Sequence, residues 1–151
     1  ERGDSRGGII EVWIDGVRAG LGEPVFRKAK NAFADAIMSV GAVVGVTLGD
    51  AAGDVRMAGR DFHTGVSGSG PRAGISPSSN GIQGGITNGR RIRLRAYFKP
   101  ASTVGEMAKK GRHDPCIIPR AIPVIESMVA LALCDLYLAR QLDRRDYLQP
   151  R

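Results

Sequence analysis

Strict alternation of apolar and polar residues predicts two β-strands in this chain. Over 8–15, every second residue is apolar, namely Ile10, Val12 and Ile14. Over 91–99, one face is apolar and the other is mostly cationic; the apolar face is Ile92, Leu94, Ala96 and Phe98, and the other is Arg91, Arg93, Arg95, Tyr97 and Lys99. A short β-branched run over 43–48 predicts a third strand.

Two longer segments have the periodicity of α-helices. Over 24–40, apolar residues recur at helical spacing; Pro24 suits the first helical position and Gly41 suits the C-terminal cap. Over 123–140, apolar residues lie nearly all round the helix, which predicts that the helix is buried on most sides.

The segments between these elements are polar and lack a clear period. Residues 51–80 are rich in Gly, Ser, Pro and Asp, and they predict a long loop with short strand structure near 55–57. Residues 100–111 predict a polar connection, and the charged residues 143–151 are expected to fray. Strands and helices in this order predict an α+β fold built of packed layers in one domain.

Composition fits a globular domain but departs from the average in two ways. The chain has 151 residues, of which 42% are apolar, so it can bury a core. Glycine accounts for 21 residues, and the net charge is +7. That charge indicates an anionic partner (nucleic acid, anionic lipid or a small phosphorylated ligand) or simply a soluble basic surface. The longest strictly apolar run, Met128 to Cys134, is far shorter than the ~20 residues of a membrane span, so no membrane partner is expected.

Two stretches have the residue types of an anion site. The glycine-rich run 81–89 either lets the backbone approach a ligand or forms a tight turn between strands. The arginine row of 91–99 binds phosphates, pairs with acids on a neighbouring strand, or is simply a solvated strand face. Tyr97 is the only aromatic residue on that face, whereas single-stranded nucleic acids usually bind where several aromatics alternate with cations.

A third stretch combines a cation, an imidazole and a carboxylate. In an extended segment, Arg112 and Asp114 point to the same side and His113 points to the other. A neighbouring arginine keeps a carboxylate ionised, which suits a general base. The alternative is a helix-entry turn with a local ion pair. No metal site is expected, because the four soft ligands lack zinc-site spacing: His63, His113, Cys116 and Cys134.

Four motifs, in order, resemble the chorismate synthase family. They are GVRAGLGEPVF at 16–26, GIQGGITNG at 81–89, FKPAST at 98–103 and GRHDPCIIPRA at 111–121. The resemblance covers about 8–50 and 78–140, is poor over 51–80, and corresponds to less than half of the family's usual length. It implies an α+β fold with helices sandwiched between antiparallel sheets, of which 1–151 is a single partial domain from the C-terminal portion.

The resemblance also implies a reaction. Family enzymes are lyases that use reduced FMN to remove phosphate and a proton from 5-enolpyruvylshikimate 3-phosphate, giving chorismate for aromatic amino-acid biosynthesis. There is no net redox change. From this reaction we expect a phosphorylated small-molecule substrate and no nucleic-acid partner. Members are usually homotetramers, so we also expect self-association. The expected compartment is the cytoplasm, or the plastid in a plastid-bearing organism.

Position by position, the resemblance implies two sets of site residues. The set matching flavin contacts is Gly41, Ala42, Gly84, Lys99, Pro100, Ala101, Ser102, Thr103 and Arg112. Arg112 also matches a residue near the substrate, and Asp114 matches an aspartate proposed to act near the flavin N5 nitrogen.

The resemblance does not include the N-terminal part of the family. That part of the family carries two histidines proposed as proton donors and a serine-arginine cluster, and His63 matches neither histidine. We therefore expect the chain to be a piece of a longer enzyme and to be inactive alone. Two alternatives remain open at this point, a non-catalytic oligomerisation domain and a basic nucleic-acid-binding module.

Overall fold

A computed structural model describes residues 4–62, 80–102 and 116–142 of the chain. Its elements, in chain order, are β1 (Gly8–Ile14), α1 (Ala29–Met38), β2 (Val43–Leu48), α2 (Ala51–Asp54), α3 (Gly59–Phe62), β3 (Ile82–Gln83), β4 (Ile86–Thr87), β5 (Ile92–Phe98) and α4 (Ile118–Leu142). The predicted loop residues 63–79 and the connection 103–111 fall outside the described residues.

The three long strands form an antiparallel sheet in the order β1-β5-β2, as the alternation predicts. Leu94 of β5 lies opposite Val12 on one side and Leu48 on the other. All four apolar residues of β5 are buried, namely Ile92, Leu94, Ala96 and Phe98. The alternating face therefore points into the core, and the arginine row points to the opposite face of the sheet.

Helices α1 and α4 pack on the apolar side of this sheet. Phe33 and Ile37 of α1, Ile125 of α4 and Ile92 of β5 are fully buried in one apolar cluster. The α+β class is confirmed, and the described residues form one three-stranded sheet with both long helices on the same side.

Helix α1 is shorter at both ends than the predicted helix over 24–40, most of all at its start. A hydrogen bond from the Glu23 N–H to the Arg27 carbonyl, 2.8 Å, closes a turn in the segment expected to be helical. The first helical N–H, that of Ala29, donates instead to the Gly85 carbonyl at 2.7 Å. A contact with a distant segment thus decides where the helix begins.

Helix α4 begins five residues before the predicted start and is not buried on most sides in this chain. Its buried residues form one stripe, Ala121, Ile125, Val129 and Leu136. Leu131 is 63% exposed and Leu138 is 64% exposed. The prediction of all-round burial is wrong here because only one face of α4 meets the sheet and α1. By length and composition alone, α4 could also cross a membrane.

The structure also shows what two shorter segments form. The short strand expected near 55–57 is absent; Val55 ends the single-turn helix α2, donating its N–H to the Ala51 carbonyl at 3.2 Å. The glycine-rich run forms the tight turn of the β3–β4 hairpin, in which Gln83 pairs with Ile86.

Candidate functional site

The C-terminal end of β5 and the start of β2 bring most of the expected flavin contacts together. The Lys99 N–H donates to the Ala42 carbonyl at 3.0 Å, which joins the lysine-proline turn to the Gly41–Ala42 pair. The hydroxyl of Ser5 donates to the Ala101 carbonyl at 2.7 Å and holds the turn from its other side. We call this group, Gly41, Ala42 and Lys99–Ser102, the lysine turn.

The backbone of the lysine turn is open and partly strained. Ala42 adopts a left-handed conformation, with φ of 68°, that residues other than glycine rarely adopt. A Cβ added at Gly41 would meet nothing within 4 Å, and Lys99 and Ser102 are exposed. An exposed ammonium group beside accessible backbone suits a phosphorylated ligand.

Gly84 lies in the second group, the turn of the β3–β4 hairpin. Its φ is +63°, and a Cβ added there would again meet nothing within 4 Å. The next residue, Gly85, is buried, and its carbonyl accepts the first N–H of α1. The hairpin therefore presents bare backbone at Gly84 while it is anchored at Gly85.

Thr87 anchors the same hairpin, and sequence reasoning did not identify it. Its hydroxyl donates to the Arg18 carbonyl at 2.7 Å and accepts the Leu21 N–H at 2.9 Å. Its backbone accepts from the Gly20 N–H at 2.8 Å and donates to the Leu21 carbonyl at 2.9 Å. Thr87 is 2% exposed, so these four bonds fix the hairpin against the segment 16–26. Partners so distant in the sequence leave no signal in local periodicity.

The two groups lie at opposite ends of the sheet. A Cβ added at Gly81 would lie 2.6 Å from Ile92, which places the hairpin at the start of β5. The lysine turn follows the end of this seven-residue strand. At ~3.4 Å per residue, β5 separates the groups by about 20 Å. One ligand touching both must extend along the sheet. The expected site residues Thr103, Arg112 and Asp114 lie outside the described residues.

The arginine row of β5 pairs with acids on neighbouring segments, which is one of the alternatives that the sequence left open for this face. Arg91 lies 2.6 Å from Asp15, and Arg95 lies 2.7 Å from Glu11 and 3.2 Å from Asp50. The hydrogen bond from Arg95 is the main cause that lowers the pKa of the Glu11 carboxyl. The Nε of Arg93 lies 3.9 Å from Glu11, so three guanidinium groups share this face with three carboxylates. Because the arginines are paired, the face does not offer a row of unpaired cations to nucleic acid.

Two of these guanidinium groups lie over the ring of Trp13 in β1. The Cζ of Arg91 is 5.0 Å from the ring centroid, and that of Arg93 is 5.6 Å from it. Both distances are in the range of cation–π attraction. Within residues 4–62, 80–102 and 116–142, no three His, Cys, Asp or Glu side chains are placed to hold a metal ion.

Comparison with known proteins gives one consistent result. The family model "Chorismate synthase" matches residues 1–138. A protein named chorismate synthase from Bdellovibrio bacteriovorus is 44% identical over 144 residues, covering 95% of this chain and 40% of that protein. Another of that name, from Trichormus variabilis, is 42% identical over 149 residues, covering 89% and 41%. The chain spans about two fifths of the length of these curated relatives.

The structural comparison agrees with the sequence comparison. A solved structure titled "Crystal Structure of Chorismate Synthase" matches with a TM-score of 0.74 at 32% sequence identity. The match covers 91% of this chain and 39% of that one.

Proposed function

The chain belongs to the chorismate synthase family, and we propose that it forms part of a working chorismate synthase. The proposed reaction is a lyase reaction: loss of phosphate and a proton from 5-enolpyruvylshikimate 3-phosphate, with reduced FMN, to give chorismate. The observation that carries the proposal is the 44% identity to one relative of that name over 95% of this chain.

The residues present fit a phosphorylated flavin. Lys99 and Ser102 are exposed on the lysine turn and would hold the phosphate or ribityl oxygens of FMN. Gly84 presents backbone with open space beside it, so a flat ring system could approach closely there. When bound, reduced FMN supplies an electron transiently, with no net redox change.

We assign proton handling to the Asp114 carboxylate. Arg112, two residues before it, keeps that carboxylate ionised and orients the anionic groups of the substrate. This assignment is supported by the match of both residues to the family motif at 111–121.

The proposal extends to assembly and compartment. We propose a homotetramer acting in the cytoplasm, or in the plastid where the organism has one. Net charge +7 suits a protein whose substrate and cofactor are both phosphorylated anions. The pairing of the β5 arginines with Glu11, Asp15 and Asp50 favours this interpretation over a nucleic-acid-binding module.

The flavin part of the proposal is tested by FMN titration of a chimera. This chain replaces the matching 144-residue stretch of the B. bacteriovorus relative, and fluorescence quenching measures the affinity for FMN. Lys99→Ala removes a charge-assisted contact of roughly 1.5–3 kcal/mol, so the Kd should rise roughly 10- to 150-fold.

The matched control is Lys30→Ala, which removes an exposed ammonium group from α1, away from the lysine turn. Its affinity for FMN should equal that of the unmodified chimera. Equal affinity for Lys99→Ala in a folded chimera would show that the lysine turn does not hold the flavin.

A further inference from the structure

Ser5, which precedes β1, is a buried residue whose side chain reaches the lysine turn. It is 7% exposed, and its hydroxyl donates to the Ala101 carbonyl at 2.7 Å, although the two residues are 96 positions apart in the sequence. The Ser5 N–H donates to the Asp4 carboxylate at 2.8 Å. The backbone of Ser5 is therefore held locally, while its hydroxyl bonds to a distant segment.

The glycines that follow Ser5 let this segment pass close to the lysine turn. A Cβ added at Gly7 would overlap the Phe98 carbonyl oxygen and would lie 3.2 Å from the Cδ of Pro100. A Cβ added at Gly8 would lie 2.9 Å from the side chain of Ile118, at the start of α4. Because the segment is packed against the end of β5 and the start of α4, it gives the serine hydroxyl a rigid base.

The two ends of the lysine turn are held by different bonds. Lys99 is fixed by its own N–H, which donates to the Ala42 carbonyl at 3.0 Å. Among the residues that the structure describes, the bond from Ser5 is the one hydrogen bond made by residues 100–102. Loss of the Ser5 hydroxyl would therefore leave Lys99 in place and release the part of the turn that carries the exposed Ser102.

We propose that Ser5 is a positioning residue for the flavin site. Its hydroxyl holds the Ala101 carbonyl, and this bond preorganises Ser102 to bind the phosphate or ribityl oxygens of FMN. The inference rests on the proposed function, in which Lys99 and Ser102 hold those oxygens. A group that is ordered before binding loses less conformational entropy when the ligand arrives, so Ser5 raises the affinity for FMN without touching it.

FMN titration of the chimera tests this role, with melting curves measured on the same samples. Ser5→Ala removes one hydrogen bond, so the Kd for FMN should rise roughly 3- to 10-fold, less than for Lys99→Ala. The melting temperature should fall by at most a few degrees. Ser5→Thr keeps the hydroxyl and should restore the affinity.

The matched control is Ser127→Ala, which removes a bond of the same kind and length in α4. The hydroxyl of Ser127 donates to the Pro123 carbonyl at 2.7 Å, away from the lysine turn. This variant should bind FMN as tightly as the unmodified chimera.

A double variant shows whether Ser5 acts through Ser102. If it does, Ser5→Ala combined with Ser102→Ala should bind FMN about as weakly as Ser102→Ala alone. If the two side chains acted independently, their effects on the Kd would multiply.

Failure of this inference is distinguishable from failure of the proposed function. A chimera that does not bind FMN, or that binds it equally well after Lys99→Ala, contradicts both. A chimera in which Lys99→Ala weakens binding and Ser5→Ala does not contradicts only the role of Ser5. A Ser5→Ala chimera that unfolds, or whose loss of affinity multiplies with that of Ser102→Ala, shows that Ser5 supports the fold in general and also overturns the proposal.

Discussion

Replacing Thr87 by valine tests whether the hydroxyl of this residue holds the β3–β4 hairpin in place. Valine keeps the shape of the side chain, but it can neither accept the Leu21 N–H nor donate to the Arg18 carbonyl. Leu21 and Thr87 are both buried, so water cannot fully replace the lost partners. A buried donor left unpaired costs ~1–3 kcal/mol, so we expect a loss of about 2 kcal/mol in the free energy of unfolding.

The matched control is Thr87→Ser, which keeps both hydrogen bonds and loses one methyl group, worth about 0.8 kcal/mol. In urea unfolding, Thr87→Val should lower the midpoint more than Thr87→Ser, without changing the slope. For a chain of this size, the valine variant should melt roughly 6 °C lower, at ~3 °C per kcal/mol. The Leu21 amide should also exchange its hydrogen faster.

The outcome that refutes this reasoning is a valine variant as stable as the native chain, or more stable than the serine variant. Either result would mean that the threonine methyl group, and not its hydroxyl, carries the stabilisation. The segment 16–26 would then be held to the hairpin by packing alone.

Three further predictions follow from particular side chains. In the chimera, Asp114→Asn should lower single-turnover rates with pre-reduced FMN by ~10²–10⁴-fold while leaving affinities nearly unchanged; weaker binding with a lower melting temperature would instead indicate an ion pair with Arg112. The pKa of the Glu11 carboxyl is lower in the folded chain than in the unfolded chain. The ionised carboxylate therefore stabilises the folded chain at pH values above the unfolded-state pKa of Glu11, and this stabilisation is lost as the pH falls through the folded-state pKa. The melting temperatures of Glu11→Gln and the native chain should therefore converge in acid, and a constant difference would exclude this linkage. Gly22→Ala should lower the melting temperature clearly, because φ is +101° and the new Cβ would lie 2.7 Å from the Ala29 nitrogen; an unchanged melting curve would contradict that packing.

The strands were predictable because their pattern is local. In β5, alternation separates a buried face from a charged face within seven residues, and the structure buries the face that the alternation predicts. The start of α1 was not predictable in this way, since the Gly85 carbonyl that receives the first helical N–H is far along the chain. The exposure of α4 was not predictable either, because apolar residues all round a helix do not reveal which faces have neighbours.

The candidate site residues come from motif resemblance and not from periodicity, and their role at a flavin site stays a prediction. The motif at 98–103 led to the lysine turn, and the structure joins this turn to Ala42 by a hydrogen bond. Thr87 and the pairing of Arg95 with Glu11 and Asp50 depend on contacts between distant segments, which spacing along the chain cannot reveal.

The most direct test of the central claim is chorismate formation by the chimera that carries this chain in the B. bacteriovorus relative. The chimera is supplied with 5-enolpyruvylshikimate 3-phosphate and pre-reduced FMN, and chorismate and phosphate are measured together. We predict equal amounts of both products, formed at a rate that Asp114→Asn lowers strongly. A folded chimera that binds FMN and substrate but releases neither product would contradict the claim that this chain belongs to a working chorismate synthase.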